Sequence, residues 1–409
     1  SDQINNLSTA QISALSSLQI QSLTTAQLNA MSADQIASIS ASGVSALTTT
    51  QITGLTAAID LLAGLSSTQI PALSTANIAL LTGNQLNALS TTQINSLSAI
   101  QAKALTGPQL TALTTENVGA LSTTAIANLS TTAISTVSST QLQNLTTTQL
   151  QGLSTSAIKA LTTAQLNALS TTQTSAFSTN QIVALTTEQI NKLPTANTST
   201  FTTAQIQALG SAQVAAMTSA QINSLPLSQL QSLSTAGIAS ISTANIALLT
   251  PTAISNLSSS QIQALSSSQF ANLTNSDIAA LTSSQYAALT TKQIMGLDAS
   301  RISTLFGGTS VSNKISSIPP NALTKLTSTN SSTLTSAQLA ALTTAQIPGL
   351  SASVVGSFTT TGQINGLTTA QIAVLTQAQA KALSAAQLNA LTTTQTAALS
   401  TYAIAALTA

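Results

Sequence analysis

Any chemistry in this chain would have to come from hydroxyls, carboxylates and a few amines. Its 409 residues include eight Lys and Arg, seven Asp and Glu, and neither Cys nor His. Without an imidazole no Ser–His–Asp triad assembles, and without thiol or imidazole the usual zinc sites are closed. A Ser–Lys pair is the nucleophile and base combination that is left. The Ser and Thr that would serve it recur with a regularity that helix capping explains better. The acids are Asp2, Asp34, Asp60, Glu116, Glu188, Asp277 and Asp298, and no two fall within one repeat. Neither a glycosidase pair nor a hard-cation cage is therefore present locally. Gly307 and Gly308 do not form a phosphate loop, because neither the Gly-x-Gly-x-x-Gly nor the Walker pattern surrounds them. No catalytic, cofactor or metal site is expected, and the chain reads as a non-enzyme.

The residues that dominate instead form an eight-residue phrase, as in Leu89-Ser-Thr-Thr-Gln-Ile-Asn-Ser96 and Leu161-Thr-Thr-Ala-Gln-Leu-Asn-Ala168. Numbered 1 to 8, its places are Leu, Ser/Thr, Ser/Thr, any, Gln, Ile/Leu, any, Ala/Ser. It runs without a slip of register from Leu65 to Thr304. Such a period overrides the two or three globular domains that length would suggest. Only 4% of residues are charged and the net charge is +1. No basic stripe exists to neutralise phosphates, so nucleic acid is not an expected partner. Hydroxyls interrupt every apolar run, so no membrane-spanning segment is expected either. A surface this neutral has little self-repulsion, and the expected partner is a second copy of the chain.

Geometry restricts what an octad forms. At about 100° per residue, successive Leu places would wind around a continuous helix, and places 1 and 6 would face opposite sides of a strand. The unit must bend. Ser/Thr at place 2 with Gln at place 5 is a capping box, and Leu at place 1 with Ile at place 6 is the hydrophobic staple that accompanies it. Locally the phrase resembles the opening of the first helix of calmodulin-like proteins, Leu-Thr-x-x-Gln-Ile, which implies helix initiation and nothing more.

The rarer residues agree. Asp34, Glu116 and Glu188 at place 4 and Asp298 at place 2 lie at the helix start. Lys103, Lys159 and Lys381 at place 7, with Lys192 and Lys325 at place 8, lie at its end, as the helix dipole favours. Lys292 and Arg301 run against this polarity, and Arg301 is placed to pair with Asp298 across one turn. Pro251 and Pro320 fall at the first helical position, where proline is tolerated. Pro71 and Pro348 at place 7 would stop a longer helix. Gly54, Gly64, Gly152, Gly296, Gly349 and Gly366 end their units, where a left-handed residue is expected. Asp277, at a Gln place, is expected to mimic the capping box.

Helices of one to two turns are not stable alone and must stack. The expected fold is a mainly α repeat solenoid with a Leu and Ile core, Phe270 and Tyr286 included. A β-solenoid built on Ser/Thr ladders is the alternative. Phe177 and Phe201, and Thr174 and Thr198, are each 24 residues apart. That spacing favours three octads per coil over two.

The array is expected to comprise residues 1–304, an irregular insertion with degenerate octads at 305–333, and a continuation at 334–409. Its other interruptions are a ten-residue unit at 55–64 and a nine-residue unit at 358–366. Phe306, Gly307 and Gly308 are candidates for a docking knob on an otherwise uniform array, and Tyr402 at place 4 for an exposed contact. The chain opens at place 3, which points to a processed or excised segment. Leu407-Thr-Ala followed by Ser1-Asp-Gln-Ile-Asn-Asn reads as one nine-residue unit much like 358–366. Ser1, Asp2 and Leu407 are therefore candidates for a head-to-tail join, the kind of contact that propagates into fibres.

The composition resembles the Ser/Thr/Ala-rich, Cys-free repeat regions of large secreted bacterial adhesins, surface-layer and extracellular-fibre proteins. That resemblance implies a structural filament or stalk outside a cell or on its surface. The alternative is a surface-binding module presenting Ser/Thr rows to a glycan, a mineral or ice. A disordered, O-glycosylated stalk would leave the regular Leu and Ile idle.

Overall fold

The octad folds as its capping residues dictate. In the unit at 145–152, Thr146 is extended (φ −67°, ψ 159°) and its hydroxyl accepts the Gln149 N–H, so the helix Thr147–Gly152 begins one residue later. The Gln149 side chain accepts the Thr146 N–H in return, at 2.8 Å. Leu153 then leaves the helix in an extended conformation (φ −59°, ψ 132°), its N–H donating to the Leu150 carbonyl. This reciprocal box recurs along the chain, at Ser8/Gln11, Ser90/Gln93, Thr282/Gln285 and Thr392/Gln395 among others. A computed structural model describes residues 3–55, 58–307, 315–332, 334–359 and 362–407. Among these, short α- and 3-10 helices are the regular structure and no strand occurs, so the β alternative is excluded.

Helices this short gain stability by stacking, and within each compact unit they pack on the third helix along. Ala99–Ala104 packs on Thr123–Asn128, and that on Thr147–Gly152. In the same way Ser211–Ala216 packs on Thr235–Ser240, and Pro251–Asn256 on Asn275–Ala280. Three octads therefore make one coil. The chain is a helical repeat solenoid in two compact units, Ser1–Ala208 and Leu209–Ala409. In each, places 1 and 6 fill the interior: Leu97, Ile94 and Phe177 in the first, Leu265, Ile262, Phe270 and Tyr286 in the second, all buried. Burying one such side chain contributes roughly 1.5–3 kcal/mol.

The expected helix polarity holds. Asp34, Glu116 and Glu188 stand in first turns, and Lys103, Lys159, Lys192, Lys325 and Lys381 in last turns. Pro251 and Pro320 open their helices, whereas Pro71 and Pro348 leave only the 3-10 turns Ile70–Ala72 and Ile347–Gly349.

The glycines require a correction. No described residue has positive φ; Gly54 (φ −85°) and Gly296 (φ −81°) are right-handed. Their reason is close approach between coils. A Cβ on Gly54 would lie 2.6 Å from Thr25 Cγ2, and one on Gly366 would lie 2.6 Å from Ser336 Cβ and 2.8 Å from Ser336 Cα. The helix needs no left-handed exit because Leu at the next place 1 turns the chain in an ordinary extended conformation.

The described residues of the 305–333 region belong to the second unit. The helix Ala299–Gly307 runs past its octad and carries Leu305 and Phe306 into the core. From Ile315 the degenerate octads rejoin the stack, with Ile315, Ile318, Ala322, Leu323 and Leu326 buried.

Candidate functional site

What the fold builds, over and over, is a joint between one coil and the next, and place 5 holds it. The Gln101 side chain is 1% exposed and divides its two polar atoms between two tasks. Its Oε1 accepts the Ser98 N–H at 2.9 Å and so caps its own helix. Its Nε2 donates to the carbonyls of Ile70 and Leu73, both at 2.8 Å, in the coil before. The Leu73 carbonyl belongs to the turn after the 3-10 helix Ile70–Ala72, where Leu73 is extended and outside any helical ladder, while the Ile70 carbonyl also accepts the Leu73 N–H. The Gln side chain thus satisfies the place 1 carbonyl that the short helices leave over at their junction and shares the other with the backbone.

Within each unit the bond recurs 28 residues apart, as from Gln181 to Leu153, Gln261 to Leu233 and Gln293 to Leu265. Over the ten-residue unit the separation becomes 30 residues, from Gln69 to Ile39. Over the nine-residue unit it becomes 29, from Gln379 to Leu350 and from Gln387 to Phe358, and returns to 28 from Gln395 to Leu367. Insertions are absorbed within one coil, and the joint re-forms after each.

A second, exposed set of bonds runs the other way. Place 7 amides donate to place 8 carbonyls of the following coil: Asn87 to Ala112 at 2.8 Å, Gln151 to Ala176 at 2.8 Å, and Asn223 to Leu248 at 3.0 Å. Asn87 Oδ1 also accepts the Thr114 N–H at 3.0 Å.

Departures at place 5 show what each atom contributes. Asn77 still reaches the Leu47 carbonyl at 2.9 Å, but its Oδ1 is buried without a partner, one methylene short of the cap. Gln229 Oε1 is likewise unpartnered, because the residue at its cap is Pro226, which has no N–H. Asp277 completes the box with Thr274 as expected, yet carries no donor, and its Oδ1 is buried without a partner. Arg301 replaces the Gln donor: its Nε gives a bond of 2.6 Å to the Leu273 carbonyl. The cap then falls to Asp298, which accepts the Arg301 N–H at 2.8 Å and pairs with the guanidinium as expected. Those contacts, the Arg301 backbone N–H first and its charge after, hold the Asp298 carboxyl below its ordinary range. Tyr286 points its hydroxyl at the Ile278 carbonyl, and desolvation pushes its pKa well up. Thr174, at an apolar place, accepts a bond of 3.2 Å from Asn197 Nδ2 in the next coil.

The sequence candidates fare unevenly. Phe306 is fully buried, so it is a core residue and no knob; transfer of an aromatic ring from water outweighs its place beside two glycines. Gly307 ends its helix, and Gly308, Ser1 and Asp2 lie outside the described residues. Tyr402 is 73% exposed, and Leu407 ends the last helix half-buried. Among the described residues no group of His, Cys, Asp or Glu could hold a metal ion, and no helix is long and apolar enough to cross a membrane.

Residues 147–179, 166–197 and 199–226 match the model of the ALTTAQ repeat. The chain is a repeat protein. The letters of that description occur verbatim at Ala160-Leu-Thr-Thr-Ala-Gln165, which are places 8 and 1 to 5: the coil turn, the cap and the joint residue. No curated protein matches the chain.

Proposed function

We propose that this chain is a non-enzymatic structural protein, a segment of an extracellular filament or cell-surface stalk whose length is set by the number of stacked coils. The observation that carries this reading is the coil joint. The same carboxamide-to-carbonyl contact is made in both units and is re-formed beyond every insertion. A fold whose internal contact repeats without change is suited to spanning distance, since coils can be added without new chemistry. The near-absence of charge favours self-association. The extracellular placement rests on the resemblance in composition. Negative-stain microscopy of the purified protein at neutral pH is expected to show filaments one solenoid wide; dispersed monomers at high concentration would count against the filament.

A second reading is a surface-binding module for a glycan, mineral or ice. It is favoured by hydroxyls at places 3 and 4 that stay exposed, such as Thr91, Thr92, Thr115 and Thr140. Glu116 interrupts that row, which suits a matched ice face poorly. Thermal hysteresis of a dilute solution decides the ice version.

A further inference from the structure

One coil boundary inside the first unit lacks the joint altogether. The octads at 89–112 send Gln93, Gln101 and Gln109 to the carbonyls of Leu65, Leu73 and Leu81 in the coil before. The octads that stack on them, at 113–136, carry Asn117, Ala125 and Ala133 at place 5. Alanine has no donor there. Asn117, one methylene short, gives its Nδ2 to Asn87 Oδ1 at 3.3 Å. No described donor therefore reaches the carbonyls of Leu89, Leu97 or Leu105, and all three residues are buried. The joint resumes in the next coil, from Gln141 to Leu113 and from Gln149 to Leu121. One coil further on, Gln165, Gln173 and Gln181 tie all three octads at 161–184 to those at 137–160. Gly43 and Ala157, by contrast, are single gaps between octads that keep the joint. What crosses the untied boundary lies at or near the surface. Asn95 donates to the Ala120 carbonyl and Thr111 to that of Thr136, each at 3.1 Å, while the Thr136 hydroxyl donates to Gly107 at 3.1 Å. Asn87 clamps the point where the chain passes from one coil to the next, donating to Ala112 and accepting the Thr114 N–H.

We propose that this boundary is a built-in opening layer, at which the first unit parts in its interior while the coils on either side stay stacked on their other neighbours. The Leu and Ile columns run through tied and untied boundaries alike, so the polar ties make the difference. A carbonyl buried without a donor is costlier than one that is paired, and three such carbonyls fall in a single layer. The bonds that replace the joint are open to competition from water. Helices of four to six residues depend on stacking, so a boundary that parts takes the helices beside it with it. Repeat arrays open locally in this way, and the weakest layer decides where. A solenoid that yields at a set layer can lengthen there without unfolding elsewhere. The inference concerns one unit of one chain and stands whether or not the chain forms filaments.

The test is native-state hydrogen exchange of the full chain, followed by mass spectrometry in urea concentrations below the global transition. Amides of 89–136 should exchange at least about tenfold faster than those of 161–184. Asn87→Ala removes the clamp and should widen that difference. Gln151→Ala removes a bond of the same kind, to the Ala176 carbonyl, at the boundary that has all three joints, and should leave 161–184 unchanged. The triple variant Gln165→Ala, Gln173→Ala, Gln181→Ala copies the untied layer with a residue this chain already uses at place 5. It should bring the exchange of 161–184 up to that of 89–136. Equal protection of the two regions in the parent would overturn the proposal, as would a folded triple variant that keeps the protection of 161–184. If the triple variant does not fold, the parent and the Asn87→Ala and Gln151→Ala pair decide.

Discussion

Gln101 in the interior and Gln19 in the first coil perform the same first task and differ in the second. Both accept a cap N–H through Oε1, at 2.9 Å from Ser98 and 2.8 Å from Ser16. Only Gln101 places its Nε2 on carbonyls of a neighbouring coil. The helix therefore forms in either setting, while the tie between coils depends on what lies below. Helix capping and coil stacking are written into different atoms of one side chain.

The sharpest way to break this pair apart is a single isosteric change. Gln101→Glu should leave the cap in place and lose both coil bonds, putting a carboxylate against two carbonyl oxygens in a buried site. An uncompensated buried charge costs about 3–5 kcal/mol. Gln19→Glu should cost under about 0.5 kcal/mol, as exposed substitutions do. The Gln101→Glu loss should depend on pH. Burial raises the folded-state pKa of the new carboxyl above its unfolded value of about 4.3. Stability is then recovered fully below the unfolded value and lost as pH rises through the folded one. Urea unfolding followed by circular dichroism at several pH values checks both size and sign; equal losses for the two variants would remove the distinction.

Apolar places give a parallel contrast. Ile94→Ala, at a fully buried site, should cost about 2–5 kcal/mol, whereas Ile404→Ala, 44% exposed, should cost about 1 kcal/mol. Because repeat arrays open locally, hydrogen exchange should place the first loss in the coils around 94 and the second in the last coil alone. A uniform loss of protection along the unit would show that the coils do not act as separable layers.

Much of this was legible because it is local. A cap, its box and the polarity of scattered charges act within one octad, so Ser90, Gln93, Glu116 and Lys103 declare the helix and its direction. The 24-residue spacing of Thr174 and Thr198 reported coil size, and Asn197 beside the second Thr does bond to the first. The tie through Nε2 was not anticipated, because its partner lies 28 residues away. A signal for it existed. A capping box accepts Glu as readily as Gln, yet both Glu residues of the chain stand at place 4 and none at place 5. Glu differs from Gln in its charge and in lacking an amide N–H, so its absence from this buried place fits a second bond through the nitrogen. The glycines misled for the converse reason: Gly54 at a helix end suggests a left-handed exit, while its cause, Thr25 in the neighbouring coil, is invisible to local reading. Phe306 was misplaced by its neighbours, since Gly307 and Gly308 signal a loop and the helix runs on to Gly307.

If capping is local, its loss should be indifferent to position. Ser90→Ala in the interior and Ser16→Ala in the first coil remove the same bond, from Gln93 N–H and Gln19 N–H respectively. Each should cost about 1 kcal/mol, within a few tenths of the other. Midpoints of urea unfolding for the two variants test this directly. A clearly larger loss at Ser90 would mean that the cap also positions Gln93 for its coil bonds, and that the two tasks are coupled.

The smallest effect belongs to the octad that divides these tasks between two residues. Asp298 caps and Arg301 reaches the Leu273 carbonyl, so Asp298→Asn should keep the cap and the coil bond and remove only the ion pair. Exposed pairs of this kind contribute little, and the variant should be nearly as stable as the parent at neutral pH. What difference there is should disappear in acid. Asp298 has a lowered pKa in the folded chain, so its contribution is present above the unfolded value of about 3.9 and lost as pH falls through the folded one. Parent and Asp298→Asn stability curves should therefore converge below that window. Arg301→Gln, which restores the common octad at this place, should keep the Leu273 bond and convert a split joint into an ordinary one. If it does so without loss of stability, the guanidinium is a substitute donor and the rule for place 5 is a donor to the coil before, whatever side chain supplies it.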